Sequence, residues 1–165
     1  MFKIRIIRYL ATSLTCLFLM ACTSLPTVKT LPLQEKTERL FKVEQREANG
    51  ELKQASLLSL SAQPQTWRWV QSDPLGAPIA RVILSEKGWQ NDGFVMPNQQ
   101  AKQLFSALAT ALNAQPLFTF SRVERTPNST TYFVDNKQVW RIIRQSSGIE
   151  IELPDSSFWH IEELH

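Results

Sequence analysis

From residue 41 onward, apolar side chains recur at every second position in short runs broken by Gly, Pro, Asn and Asp. A period of two puts successive side chains on opposite faces of an extended chain, so each run makes one half-buried strand. Phe41 and Val43 alternate with Lys42 and Glu44. Asn49-Gly50 follows, a dipeptide that favours a two-residue hairpin with both central residues at positive φ. Residues 51–61 form the return strand. Trp67 and Trp69 stand two apart, hence on one face of a strand over 66–71. Residues 73–78 hold Pro74 and Pro78 and read as a loop. Residues 79–84 are apolar enough for a central strand, and Glu86-Lys87-Gly88 turns it back into 89–94.

The period changes once. In residues 98–113, Ala101, Leu104, Phe105, Leu108, Ala111 and Leu112 recur at helical spacing and give one apolar stripe. Asn98 suits the helix start and Asn113 its stop. Residues 34–40 carry a weaker helical pattern. Strands resume over 117–125, 130–134, 138–145, 149–153 and 158–164, with tight turns at Asp135-Asn136 and Ser147-Gly148. Ile149, Ile151 and Leu153 share one face, with Glu150 and Glu152 on the other. The predicted fold is mainly β (α+β). About ten strands make a curled antiparallel sheet or incomplete barrel, and one main helix covers its concave face.

The first residues obey different rules. Lys3, Arg5 and Arg8 precede a short apolar run, and Leu19-Met20-Ala21-Cys22 closes it. A basic start, an apolar stretch and a small residue just before cysteine read as a bacterial lipoprotein signal. The apolar run is about half the roughly 20 residues that a spanning helix needs. The chain thus divides into a signal over 1–21, a lipidated N-terminus and flexible tether over 22–33, and one domain over 34–165. Cys22 is the predicted site for acyl chains such as palmitate.

That division changes the chemistry of what remains. The chain has 18 Lys and Arg against 15 Asp and Glu. Three of the basic residues (Lys3, Arg5, Arg8) lie in the signal, so the mature part is balanced and has no general pull on nucleic acid. Cys16 leaves with the signal and Cys22 is consumed by lipidation, so no thiol remains for a disulfide and the fold rests on its core.

Catalytic and metal-binding patterns are sparse. His160 and His165 stand at the C-terminus, which argues against a zinc site, and Asn91-Asp92-Gly93 reads as a turn rather than a calcium loop. No glycine pair frames a serine as a nucleophile elbow. Asp155 and His160 make a triad only if the fold joins them to a serine. Glu150 and Glu152, about 7 Å apart on one strand face, match a glycosidase pair but read first as a solvated outer face. The expectation is a non-enzymatic protein with no cofactor and no metal.

Aromatic residues point elsewhere. A helix of about 16 residues is some 24 Å long and cannot cover a ten-stranded curled sheet. An uncovered concave face lined by Trp67, Trp69, Trp89, Phe105, Leu108, Phe120 and Trp140 would suit an acyl chain or other hydrophobic ligand.

The hairpin, Ser72-Asp73-Pro74-Leu75-Gly76 followed by an apolar strand, the mid-chain helix, Ser121-Arg122 and Thr131-Tyr132-Phe133 together resemble a family of small Gram-negative lipoproteins. That family is associated with gene clusters for aryl polyene lipids and is similar in fold to the outer-membrane lipoprotein receptor LolB and its carrier LolA. The resemblance implies an incomplete barrel whose concave face takes acyl chains, and partners among envelope transport proteins. It also implies a protruding loop with an exposed apolar residue that meets the membrane, for which Leu75 is the nearest match. Thr23, rather than aspartate, follows Cys22, which under the family's sorting rule implies the outer membrane. The implied function is to bind a lipid-like ligand, an aryl polyene lipid among them, and aid its transfer to the outer membrane. The alternative is a non-catalytic scaffold lipoprotein of an envelope complex.

Overall fold

The structure, a computed structural model, describes residues 25–96 and 98–164. The predicted signal, Cys22 and Thr23 lie outside the described residues, as does His165. Ten strands and one helix follow in order: β1 (Glu38–Arg46), β2 (Leu52–Ala62), β3 (Thr66–Ser72), β4 (Pro78–Ser85), β5 (Gly88–Asn91), α1 (Gln99–Leu112), β6 (Arg122–Arg125), β7 (Ser129–Val134), β8 (Lys137–Gln145), β9 (Gly148–Glu152) and β10 (Phe158–Leu164). All ten belong to one antiparallel sheet in the order β5-β4-β3-β2-β1-β10-β9-β8-β7-β6. The edges β5 and β6 do not pair with each other, so the sheet is unclosed. At its centre the first strand pairs the last, from Leu40↔Leu164 to Arg46↔Phe158.

Period-two patterning decides which face is inner. Phe41 and Val43, Leu58 and Leu60, Trp67 and Trp69, Val82 and Leu84, Trp140 and Ile142, and Trp159 and Ile161 are all buried against α1 and its neighbours. Their alternates, among them Lys42, Arg68, Arg81, Glu150 and Glu152, lie on the outer face. Asp92 stays there too, accepting from Arg68 Nε at 2.6 Å and Arg81 at 3.2 Å. The Arg68 hydrogen bond first, and the Arg81 one with it, hold its carboxyl below the usual range.

α1 begins as its sequence dictates, with Asn98 Oδ1 accepting from the Ala101 N–H at 3.0 Å. Burial corrects the expected single stripe. Residues 104–111 are buried without a break, so Ser106, Ala107, Ala109 and Thr110 are enclosed along with the apolar stripe. A helix buried on all sides is a plug rather than a lid. The hydroxyls tolerate this because Ser106 Oγ donates to the Lys102 carbonyl and Thr110 Oγ1 to that of Ser106.

The segment expected to be a tether is instead part of the fold. Residues 25–33 are packed: Val28 bridges Phe118, the Lys29 N–H donates to Leu117 O, and Leu31 is buried in the core. Apolar Val28 and Leu31 gain more from the core than a solvated linker would offer. The helix expected over 34–40 is absent; Gln34 instead bonds Pro32 O and Asn113 Oδ1, and β1 starts at Glu38.

Several turns also differ from expectation. Gly50 has φ 85° but Asn49 is not at positive φ, so the Asn49-Gly50 hairpin is a type I turn closed by a glycine bulge. The loop expected at 73–78 is a hairpin of the same build: the Asp73 N–H donates to Ala77 O, Gly76 has φ 88°, and Pro78 opens β4 opposite Ser72. The run expected at 89–94 stops at Asn91, where the Asp92 ion pairs and Gly93 at φ 87° redirect the chain. The run at 117–125 is a strand only over Arg122–Arg125. Asp135-Asn136 forms the expected tight turn, with both residues at positive φ.

Candidate functional site

The seven residues proposed to line a ligand site lie on the α1 side of the sheet or on α1 itself, six of them in two aromatic groups. On one side Trp69 of β3 stacks on Phe105 of α1, with centroids 5.5 Å apart and planes 10° from parallel. Trp67 and Trp89 complete that group at 6.5 and 6.4 Å from Trp69. On the other side Phe120 meets Trp140 of β8 edge-on at 5.7 Å, and Tyr132 of β7 lies 4.7 Å from Phe120. Leu108, fully buried on α1, belongs to the same continuous core.

All seven belong to the core or pack against it. Trp67, Trp69, Phe105, Leu108 and Trp140 are fully buried; Trp89 and Phe120 are half-buried. Sequence reading passed over two partners, Phe118 and Tyr132. The Phe118 ring lies 6.2 Å from Trp140; alternation over 117–121 puts it on one face with Phe120, although the segment is not a strand. Tyr132 follows two threonines on a half-exposed strand whose register shifts beside it. Burial pushes its phenol above the usual value, which keeps it a neutral donor.

Polar contacts separate four of the five β-sheet tryptophans on this face. Trp89 Nε1 donates to Ser106 Oγ at 2.9 Å, and Trp159 Nε1 to Ser157 Oγ at 2.9 Å. Trp69 Nε1 and Trp140 Nε1 are buried with no acceptor among the described residues, one in each aromatic group. A buried donor without a partner costs about 1–3 kcal/mol.

No family model and no curated protein matches this chain. The site therefore rests on its own geometry.

Surface clefts lie away from the seven residues. One of about 420 Å³ runs between the β6–β7 turn and β8, lined by Thr126, Asn128, Tyr132 and Arg144. Another of about 250 Å³ crosses the outer face at Arg46, Glu150, Phe158 and His160. The residues weighed for catalysis have other partners. Asp155 accepts from the Ser157 N–H and hydroxyl and from Gln100 Nε2, tying the β9–β10 turn to the start of α1. His160 stands opposite Glu44 and Glu150 on the outer face, and Glu152 pairs with Arg141 at 3.2 Å.

Leu75 is 95% exposed, at the tip of the β3–β4 hairpin. Asp73 builds that tip: its Oδ1 accepts from the Leu75 and Ala77 N–H groups, and Pro74 supplies the φ that a type I turn needs. Sequence reading named Leu75 alone. Phe94 and Met96, just after β5, are exposed as well, Phe94 fully and Met96 by 81%.

Proposed function

We propose that this chain is an outer-membrane lipoprotein, anchored through Cys22 and similar in architecture to LolB. It binds a lipid-like ligand on the concave side of its half barrel and passes it to the outer membrane, with an aryl polyene lipid the leading ligand. The unclosed ten-stranded sheet wrapped around an aromatic interior carries this reading.

Ligand entry would require α1 to shift, because Phe105 and Leu108 occupy the space an acyl chain would take. Each methylene then buried against Trp, Phe and Leu contributes about 0.8 kcal/mol, which offsets the displaced helix contacts. The orphan N–H groups of Trp69 and Trp140 are two donors that ester or carbonyl oxygens of the ligand would satisfy. Leu75 supports the membrane-facing part of the reading, being an apolar side chain held out on a rigid turn. The Thr23 sorting position supports the outer membrane.

Native mass spectrometry tests this. The mature chain, exported behind an ordinary secretory signal with Cys22→Ala, should carry a hydrophobic molecule at near one-to-one ratio. A clean apo mass that stays clean after incubation with envelope lipids would overturn it. That result would favour the scaffold reading, which the filled concave face supports: α1 would be a permanent plug, and the exposed edges and apolar tip would serve protein partners.

A further inference from the structure

Strand direction sorts the loops into two ends of the half barrel. The β1–β2, β3–β4, β7–β8 and β9–β10 turns share one end, because β1 meets β10 at Arg46↔Phe158 and β8 leaves from it at Lys137. Leu75 marks that end. The Asp92 N–H donates to the O of Arg81, three residues from the start of β4 at that end, and eight residues further on Gln100 bonds Asp155 of the β9–β10 turn. Phe94 and Met96 thus lie at the Leu75 end. They are, with Leu75, the most exposed large apolar side chains at that end, above Leu52 and Phe158.

The N-terminal strap is oriented by its pairing. Thr27 O accepts from the Thr119 N–H, and the Lys29 N–H donates to Leu117 O, so the strap runs antiparallel to 117–119. That segment ascends from Asn113, at the end of α1, to Ser121, whose N–H donates to Phe133 O beside the β7–β8 turn. The strap therefore starts at the Leu75 end and descends to Gln34, which bonds Asn113 at the other. Leu25 begins at the same end as Leu75, Phe94 and Met96. Only Thr23 and Ser24 separate it from Cys22, a reach on the order of 11 Å even fully extended.

We infer that the Leu75 end is a bilayer-docking face. Leu75, Phe94 and Met96 enter the lipid surface, and the packed strap holds the anchor so short that this end faces the membrane. This rests on the Cys22 anchor proposed above and adds an orientation to it. A freely tethered domain would sample all orientations. A strap fixed by the Val28–Phe118 bridge and by buried Leu31 removes that freedom, and apolar side chains at the leash point gain from lipid what they lose in water. The opposite end, marked by Leu33 (80% exposed), points into the periplasm.

The test uses the full acylated chain in phosphatidylethanolamine–phosphatidylglycerol vesicles. Leu75→Cys, Phe94→Cys, Met96→Cys and Leu33→Cys each introduce one free thiol for an environment-sensitive fluorophore. Labels at 75, 94 and 96 should shift to the blue and be quenched by nitroxide lipids, while the label at 33 stays wet and unquenched. Labels at 75, 94 and 96 as wet as the one at 33 would overturn the docking face. So would labels that become dry only when periplasmic protein is added, which would assign the tip to a protein partner. The mass of the mature chain separates the two readings. An unacylated Cys22 overturns the anchor itself, whereas an acylated chain with wet labels overturns only the orientation.

Discussion

The ring of Phe105 lies against the indole of Trp69, 5.5 Å between centroids and 10° from parallel, and this stack joins α1 to β3. Both residues are fully buried, and Trp67 and Trp89 flank the pair. Phe105→Ala leaves a cavity beside the indoles of Trp69 and Trp89, which cannot both close in, at a cost of about 3–5 kcal/mol. The urea midpoint should fall accordingly. A loss under about 1 kcal/mol would mean the helix is loosely held, as a mobile lid would be.

Leu31 separates a strap from a tether. Its side chain is buried with the core, so Leu31→Ala should cost about 2 kcal/mol or more in chemical denaturation. A stability unchanged within about 0.5 kcal/mol would return residues 25–33 to the status of a linker.

Gly148 allows the β8–β9 turn to approach β10. At φ 146°, a Cβ there would stand 2.3 Å from the Ile161 carbonyl oxygen, a backbone atom that cannot swing away. Gly50, at φ 85°, has open space around its Cβ position. Gly50→Ala should therefore cost only its backbone strain, about 1–2 kcal/mol, and Gly148→Ala distinctly more. Equal thermal shifts for the two variants would refute the close approach.

Glu44 is an outer-face carboxylate that is nevertheless buried, clasped by Lys42 Nζ at 2.6 Å and Arg46 at 2.5 Å. The Lys42 hydrogen bond first, and the Arg46 one second, lower its pKa from 4.5 to about 2. The folded state thus holds the charged form more firmly than the unfolded chain does. The resulting stability is present above about 4.5 and is lost as pH falls toward about 2. The advantage of wild type over Glu44→Gln in urea should fade across that window, and salt should shrink it because both partners are about half exposed. A pH-independent difference would show that packing, rather than charge, sets the value of this position.

How far the sequence reaches can be judged residue by residue. Alternation located the strands and their inner faces: Trp67 and Trp69 are buried together, and Ile151 is buried while Glu150 and Glu152 stay outside. Asn98 marked the helix start to the residue. Leu75 was legible because Asp73, Pro74 and Gly76 specify a tight turn that no side chain at its tip can leave. Phe94 and Met96 were not, since a run read as a strand hides exposed residues inside an apolar pattern.

The sequence by itself determined the ten strands, the one helix among the described residues and the faces of most strands. Those properties are local, fixed by period, turn chemistry and composition. Tertiary structure alone decided that β1 pairs β10, that the sheet stays open, that α1 is enclosed rather than laid across, and that residues 25–33 run back along 117–119. These pairings join residues distant in sequence, and nothing in a local pattern states which distant edge or groove a hydrophobic face will meet. Leu31 joins the same core as α1 although more than seventy residues separate it from the helix centre, and only the folded chain brings both into one core.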